Sequence, residues 1–192
     1  LTIGLAFYIA IMEGLWLKTH NRAYLQQVTF WIKPFALTFG MGVVSGVVLS
    51  YEFGTNFSGF SEIAGPVIGP LMGYEVMSAF FLEAGFLGIM LFGRERVSPK
   101  IHFFATCIVC LGTVLSAFWI IAANAWMQTP AGVSWQDKQV IIENWYDIIF
   151  NPSFPYRFFH MILASFITAG FVICGVCTYL YFKAPEFSRL GL

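Results

Sequence analysis

Two carboxylates, Glu75 and Glu83, stand inside an apolar run from Pro70 to Gly93, in the stretch Tyr74-Glu75-Val76-Met77-Ser78-Ala79-Phe80-Phe81-Leu82-Glu83. An acid at bilayer depth costs at least a few kcal/mol, so its usual warrant is a cofactor, a cation partner or a proton path. Eight residues at roughly 100° and ~1.5 Å each set the two side chains about 80° apart around a regular helix and about 12 Å apart along it. They can face one bundle interior at two depths. Elsewhere Ser116 and Asn124 repeat the eight-residue spacing, and Arg157 precedes His160 by one helical turn.

The elements that must carry these groups are membrane helices. The chain is 58% hydrophobic and 10% charged, with a mean hydropathy of +0.75, outside the range of an ordinary soluble domain. Leu1 to Leu17, Phe30 to Ser50, Gly69 to Gly93, Ile101 to Trp126 and Phe158 to Phe182 are long enough, or nearly so, to cross about 30 Å of hydrocarbon. An all-α, polytopic transmembrane bundle of about five helices is expected, one transmembrane domain over residues 1–192. The first helix is already under way at Leu1 with no initiator Met, so the chain reads as an internal piece with a truncated first helix. It is not a signal peptide, for a basic leading region and a cleavage site are absent.

Charge sets the orientation. With alternating helices, Lys18, Arg22, Lys33, Arg94, Arg96, Lys100, Lys183 and Arg189 fall on one side, and only Lys138 and Arg157 on the other. By the positive-inside rule the loop around His20, the Arg94–Lys100 loop and the C-terminal tail are cytoplasmic. The 53–66 and 128–155 connections are then outside. Trp135, Trp145 and Tyr146 in the longer connection suit a segment lying in the headgroup layer. No basic patch with interleaved aromatics points to nucleic acid. Cys107, Cys110, Cys174 and Cys177 form two C-x-x-C pairs inside apolar helices, which reads as small apolar packing rather than metal or redox chemistry. Gly42-x-x-x-Gly46 permits close approach of another helix or of a flat cofactor.

Depth sorts the polar groups. Glu75 lies about six residues, or ~9 Å, below an outer helix end at Gly69, and Glu83 near mid-membrane. If the third and fourth segments are antiparallel neighbours, Glu75 and Asn124 share an outer layer, joined by Arg157 and His160, while Glu83 and Ser116 share a middle one. A neutral imidazole in an apolar bundle is a good haem axial ligand, Arg157 can pair with a propionate, and the acids can carry protons. Plainer roles stand beside these. His160 can be a hydrogen-bonded core or interfacial histidine, Ser116 can bond its own i−4 carbonyl, and Arg157 can snorkel to headgroups. Glu13 is read as within reach of the inner surface, and His20 and His102 as solvated at the cytoplasmic edge.

At these residues the chain resembles subunit I of the cytochrome bd-type quinol oxidases. The resemblance rests on Leu1-Thr2-Ile3-Gly4, Phe53-Gly54-Thr55-Asn56-Phe57, Ala79-Phe80-Phe81-Leu82-Glu83, Leu115-Ser116-Ala117-Phe118-Trp119-Ile120 and Ala123-Asn124-Ala125-Trp126-Met127-Gln128, in that order. It implies a plasma-membrane respiratory enzyme that reduces O2 to water with electrons from quinol and cytoplasmic protons, generating a membrane potential. It implies low-spin and high-spin haem b, haem d, a second homologous membrane subunit and a small single-helix subunit. His160 resembles the ligand of the low-spin haem b iron, and Glu75 the acid at or near a high-spin haem iron. Glu83 and Ser116 resemble the proton path, and Asn124 a polar position lining the same pocket. Ala84 departs from the pattern, for a hydroxyl residue can occur there.

The resemblance also implies ligands before Leu1 and after Leu192, so residues 1–192 alone are expected to be inactive. A proton-coupled transporter using Glu75 and Glu83 as coupling carboxylates is the rival reading. It expects inverted repeats or broken helices, which these residues do not display, and leaves His160 without a role.

Overall fold

The structure, a computed structural model, describes residues 1–136 and 139–183. Lys138, Arg189 and the tail beyond Lys183, which entered the charge count, lie outside the described residues. The elements are α1 (Thr2–Thr19), α2 (Arg22–Gly54), α3 (Ser58–Glu75), a π-helical turn (Val76–Phe80), α4 (Phe81–Phe92), α5 (Pro99–Gln128), a hairpin of β1 (Val133–Gln136) and β2 (Gln139–Ile142), α6 (Trp145–Ile149) and α7 (Phe154–Lys183). Among the described residues four helices are long and apolar enough to cross a membrane: Arg22–Gly54, Ser58–Phe92, Pro99–Gln128 and Trp145–Lys183. With α1 as a shorter fifth of 18 residues, this is the multi-pass helical bundle expected.

The helices overrun the expected segments, most of all the third. It begins at Ser58 rather than Gly69, and only three residues separate it from α2. Pro66 and Pro70 lie inside α3, where each withholds one ladder N–H. Membrane helices tolerate such interruptions, because the apolar solvent leaves the remaining ladder no better partner. The longer helix moves Glu75 to the midpoint of Ser58–Phe92, seventeen residues from each end (75 − 58 and 92 − 75). Glu83 is then nine residues from the Phe92 end (92 − 83), not at mid-span.

A second difference follows Glu75 directly. In the π-turn the Phe81 N–H reaches the Val76 carbonyl, and the Ser78 hydroxyl donates back to the Tyr74 carbonyl at 2.6 Å, competing with the ladder. Uniform 100° steps do not run through such a turn, so the 80° offset expected between the two glutamates does not apply.

Contacts divide the chain into two compact units. One comprises Leu1–Phe39, Glu83–Leu111 and the chain from Ile162, and the other Gly40–Leu82 and Gly112–Met161. In the first, Leu5, Ala6, Ile9, Val28, Trp31, Phe35, Met90, Ala105 and Val109 are buried. Gly4 of α1 sits so close to α7 that an added Cβ would lie 2.4 Å from the Ala169 Cβ and 2.7 Å from the Ser165 carbonyl oxygen. In the second, α3 and α5 share a core of Ala64, Val67, Ile68, Leu71, Ala123 and Trp126, which Val140 of β2 and Ile148 of α6 complete. The hairpin and α6 thus give the long connection structure that its turn-rich sequence did not announce. Trp135, Trp145 and Tyr146 remain exposed, as a headgroup-facing segment requires.

Candidate functional site

In the second unit the polar groups gather on α5 and what packs against it. Ser116 Oγ donates to Glu75 Oε1 at 2.7 Å, so the hydroxyl does not turn back on its own helix. One turn on, Trp119 stacks on Tyr74 with centroids 5.3 Å apart, and its indole N–H donates to Ser78 Oγ at 2.8 Å. Ser116 and Trp119 therefore grip the chain on both sides of the start of the π-turn. Tyr74 and Trp119 were not among the expected site residues, although the i, i+3 relation of Ser116 and Trp119 already placed them on one helix face.

The expected layers are corrected here. Glu75 is joined to Ser116, not grouped with Asn124, because α3 begins eleven residues earlier than expected (69 − 58) and carries Glu75 deeper. Asn124 instead accepts from Arg157 Nη1 at 3.1 Å. Arg157 is exposed, and this single bond leaves most of its donors free to meet another anionic group. His160, one turn further along α7, is exposed and makes no hydrogen bond among the described residues. Around it Tyr156, Phe159, Leu163 and Ile167 are also exposed, so the imidazole stands on an open apolar face. Gly42 and Gly46 likewise face open space.

The first unit holds the third correction. His102, expected at the solvated edge, is 2% exposed, and Glu13, expected within reach of the surface, is 0% exposed. His102 Nδ1 lies 2.5 Å from Glu13 Oε1, Thr106 Oγ1 donates to Glu13 Oε2 at 2.7 Å, and His102 Nε2 lies 3.1 Å from the Met90 carbonyl oxygen. Mutual satisfaction is what permits the burial. The signal was present in the sequence: an acid in an apolar helix, and a His and a Thr four residues apart on one face of another. Lys18, close by in α1, suggested a surface that does not reach Glu13. His20 is exposed, as expected, and ends α1 in the left-handed region at φ 53°. Glu83, in the same unit, is 5% exposed.

Arg94 approaches this cluster from the loop after α4, its guanidinium carbon 5.9 Å from the Trp16 ring centroid. Burial holds its guanidinium below the ordinary value, and the Glu13 carboxylate draws it partly back up. None of the four cysteines is joined in a disulfide. No group of three or more His, Cys, Asp or Glu side chains suited to a metal ion occurs among the described residues. The donors present fit a different demand: a haem would be held by an imidazole, which His160, without a hydrogen-bond partner among the described residues, could supply.

Comparison with known proteins gives the family. Cytochrome bd ubiquinol oxidase subunit 1 of Bacillus subtilis (strain 168) is 36% identical over 186 residues, covering 97% of this chain and 40% of the relative. Cytochrome bd-II ubiquinol oxidase subunit 1 of Escherichia coli (strain K12) is 34% identical over 188 residues, covering 97% and 37%. The solved structure of bd oxidase from Geobacillus thermodenitrificans superposes with a TM-score of 0.89 at 28% identity, over 95% of this chain and 42% of that one. The chain thus spans about two fifths of the length of its relatives. Residues 1–191 match the family described as cytochrome bd terminal oxidase subunit I, and the chain belongs to that family.

Proposed function

We propose that this chain is part of the haem-bearing subunit of a quinol:oxygen oxidoreductase that reduces O2 to water with cytoplasmic protons and so generates a membrane potential. The observation that carries the reading is His160: an imidazole with no hydrogen-bond partner among the described residues, exposed on an apolar face of a helix long enough to cross a membrane. A polar group left in that setting is costly unless a ligand fills its valence, and one axial position on a low-spin haem b does so.

The remaining assignments follow from what each side chain holds. Ser116 keeps one Glu75 oxygen engaged and fixes the rotamer of the acid assigned to a high-spin haem, b or d. Asn124 steadies Arg157, whose other N–H groups suit a haem propionate. Glu83 is the buried acid assigned to proton delivery, and Ser116 the hydroxyl nearest its destination. When bound, the haems supply one-electron transfer and the reduction of oxygen. The ends bearing Lys18, Arg22, Arg94, Arg96 and Lys100 are placed in the cytoplasm by their charge. Residues 1–192 are read as one transmembrane domain, since α2, Ser58–Phe92, α5 and α7 each contribute residues to both contact units. A second homologous membrane subunit and a small single-helix subunit are the proposed partners, with quinol and O2 as substrates. Exposed apolar residues such as Met41, Val44 and Val47 leave α2 a face for lipid or subunit.

An absorption spectrum of the full-length protein, purified with its subunits, tests the assignment. Reduced b- and d-type haem bands are the expected result. A preparation without haem bands that still couples proton movement to a solute would overturn it in favour of a transporter.

A further inference from the structure

The Glu13–His102–Thr106 cluster plays no part in the function proposed above, yet it holds the most completely buried titratable pair described in the chain. Its hydrogen-bond inventory fixes a proton count. The Met90 carbonyl oxygen can only accept, so His102 Nε2 carries a hydrogen to make its 3.1 Å contact. At the other ring nitrogen, Nδ1 and Glu13 Oε1 are 2.5 Å apart, a distance that two bare acceptors do not keep, so a second proton lies between them. Glu13 Oε2 is occupied by the Thr106 hydroxyl. The pair therefore holds one proton more than a carboxylate beside a neutral imidazole. It is neutral as a pair whichever atom bears the shared proton.

Neutrality changes when that proton leaves. The pair then carries one negative charge, and the groups that meet it decide whether this is tolerable. From α1 there is Glu13 itself; from α5, His102, Thr106 and the Cys107 thiol; from α4 and its following loop, the Met90 carbonyl and Arg94. Arg94 is the cation among them. Its Nη1 and Nη2 are buried with no hydrogen-bond partner, so compensation for its charge comes through space from Glu13. Both protonation states of the pair are thus accommodated: loaded, beside a cation that the Trp16 ring face favours against the cost of its burial, and unloaded, as that cation's counter-ion. A pair serving packing alone has no use for a cation poised in this way.

The position adds a direction. Glu83 and Met90 are seven residues apart on α4, both buried, hence on one face and about two turns, or ~10 Å, apart. His102 closes on the Met90 carbonyl at one end of that face, and Glu83 stands at the other. Resting on the role proposed for Glu83, we infer that Glu13 and His102 form a proton-loading site that takes a proton from water at the Arg94–Lys100 end and passes it toward Glu83. The step is a proton transfer alone. The proton leaves the Nδ1–Oε1 bond, crosses to the Glu83 carboxylate through bound water, and is replaced from outside the bundle. No electron moves.

Infrared difference spectra of the full-length, assembled protein, titrated between about pH 5 and 10, read this directly. A carboxyl or carboxylate band that titrates in the parent protein, and is lost in both Glu13→Gln and His102→Gln, is expected. No band sensitive to Glu13→Gln over that range would overturn the inference. Turnover supplies the second arm: Glu13→Gln should slow oxygen reduction about tenfold or more with haem content retained, and should displace the pH profile. Glu13→Asp should restore a profile of the parent shape. If Glu13→Gln fails to assemble, Thr106→Val, which removes one donor to the carboxylate, must shift the infrared titration. An unmoved titration and pH profile in Thr106→Val would sink the site. A parent protein lacking haem bands would refute the oxidase reading, while the infrared titration would still decide the pair.

Discussion

The two polar constellations of this chain are built on opposite plans. Around Glu13 every hydrogen-bonding atom of the acid, the imidazole and the hydroxyl has its partner, and the three side chains are shut away from the surface. On the Glu75 side the groups are half-buried or exposed, and each has valence to spare. Glu75 is engaged through one oxygen, Arg157 through one of its N–H groups, and His160 not at all among the described residues. A closed cluster is assembled by the chain itself and is complete without a ligand. An open one is incomplete until something larger arrives. The difference teaches where to look for a cofactor: not at the best-satisfied histidine, His102, but at the unsatisfied one.

Substitutions should separate the two plans sharply. The largest effect belongs to the open site and to spectroscopy: His160→Ala in the full-length protein should abolish the low-spin b-type haem signal while the helical circular dichroism is retained. A surviving signal would move that ligand elsewhere. The next belongs to the closed site and to stability. Glu13→Leu strands His102 and Thr106 without their acceptor and should cost about 3–5 kcal/mol, the usual penalty for breaking a buried pair, read as a lowered melting transition in detergent. A melting point within a degree or two of the parent would show that the cluster is wet rather than closed. Gly4→Ala, pressing a methyl into Ser165 and Ala169 of α7, should cost about 1–3 kcal/mol by overpacking, in the same assay. Smallest is Glu75→Gln, whose amide oxygen can still accept from Ser116. Stability should stay within about 0.5 kcal/mol of the parent, while the high-spin haem spectrum changes. A large loss of stability there would make Glu75 as structural as Glu13.

Much of the bundle could be read without coordinates. The five helical segments, their apolar content and the buried acid at Glu83 follow from hydropathy and from the cost of charge in hydrocarbon, and those survive any rearrangement of neighbours. The ends were less legible. The outer connection was drawn over 53–66, where α3 already runs from Ser58, and Pro66 and Pro70 lie inside that helix because an apolar solvent offers the remaining ladder no better partner. That one error displaced Glu75 along its helix and with it the layer in which it was placed. The hairpin of Val133–Ile142 was missed because two four-residue strands leave almost no periodicity to detect.

The amino-acid sequence by itself determined that this is a polytopic helical membrane protein, that it resembles one oxidase family, and which residues carry titratable or ligating atoms among apolar neighbours. Composition and motif order suffice for that, since each is a property of a segment. Only the tertiary structure decided which of those atoms meet. Ser116 reaches Glu75 rather than its own carbonyl, Asn124 takes Arg157, and Glu13 and His102, 89 residues apart, close on one another while His160 is left open. The reason is geometric. A pairing depends on where two helices begin and how their faces turn, and a single π-turn or an unexpected eleven residues of helix changes both.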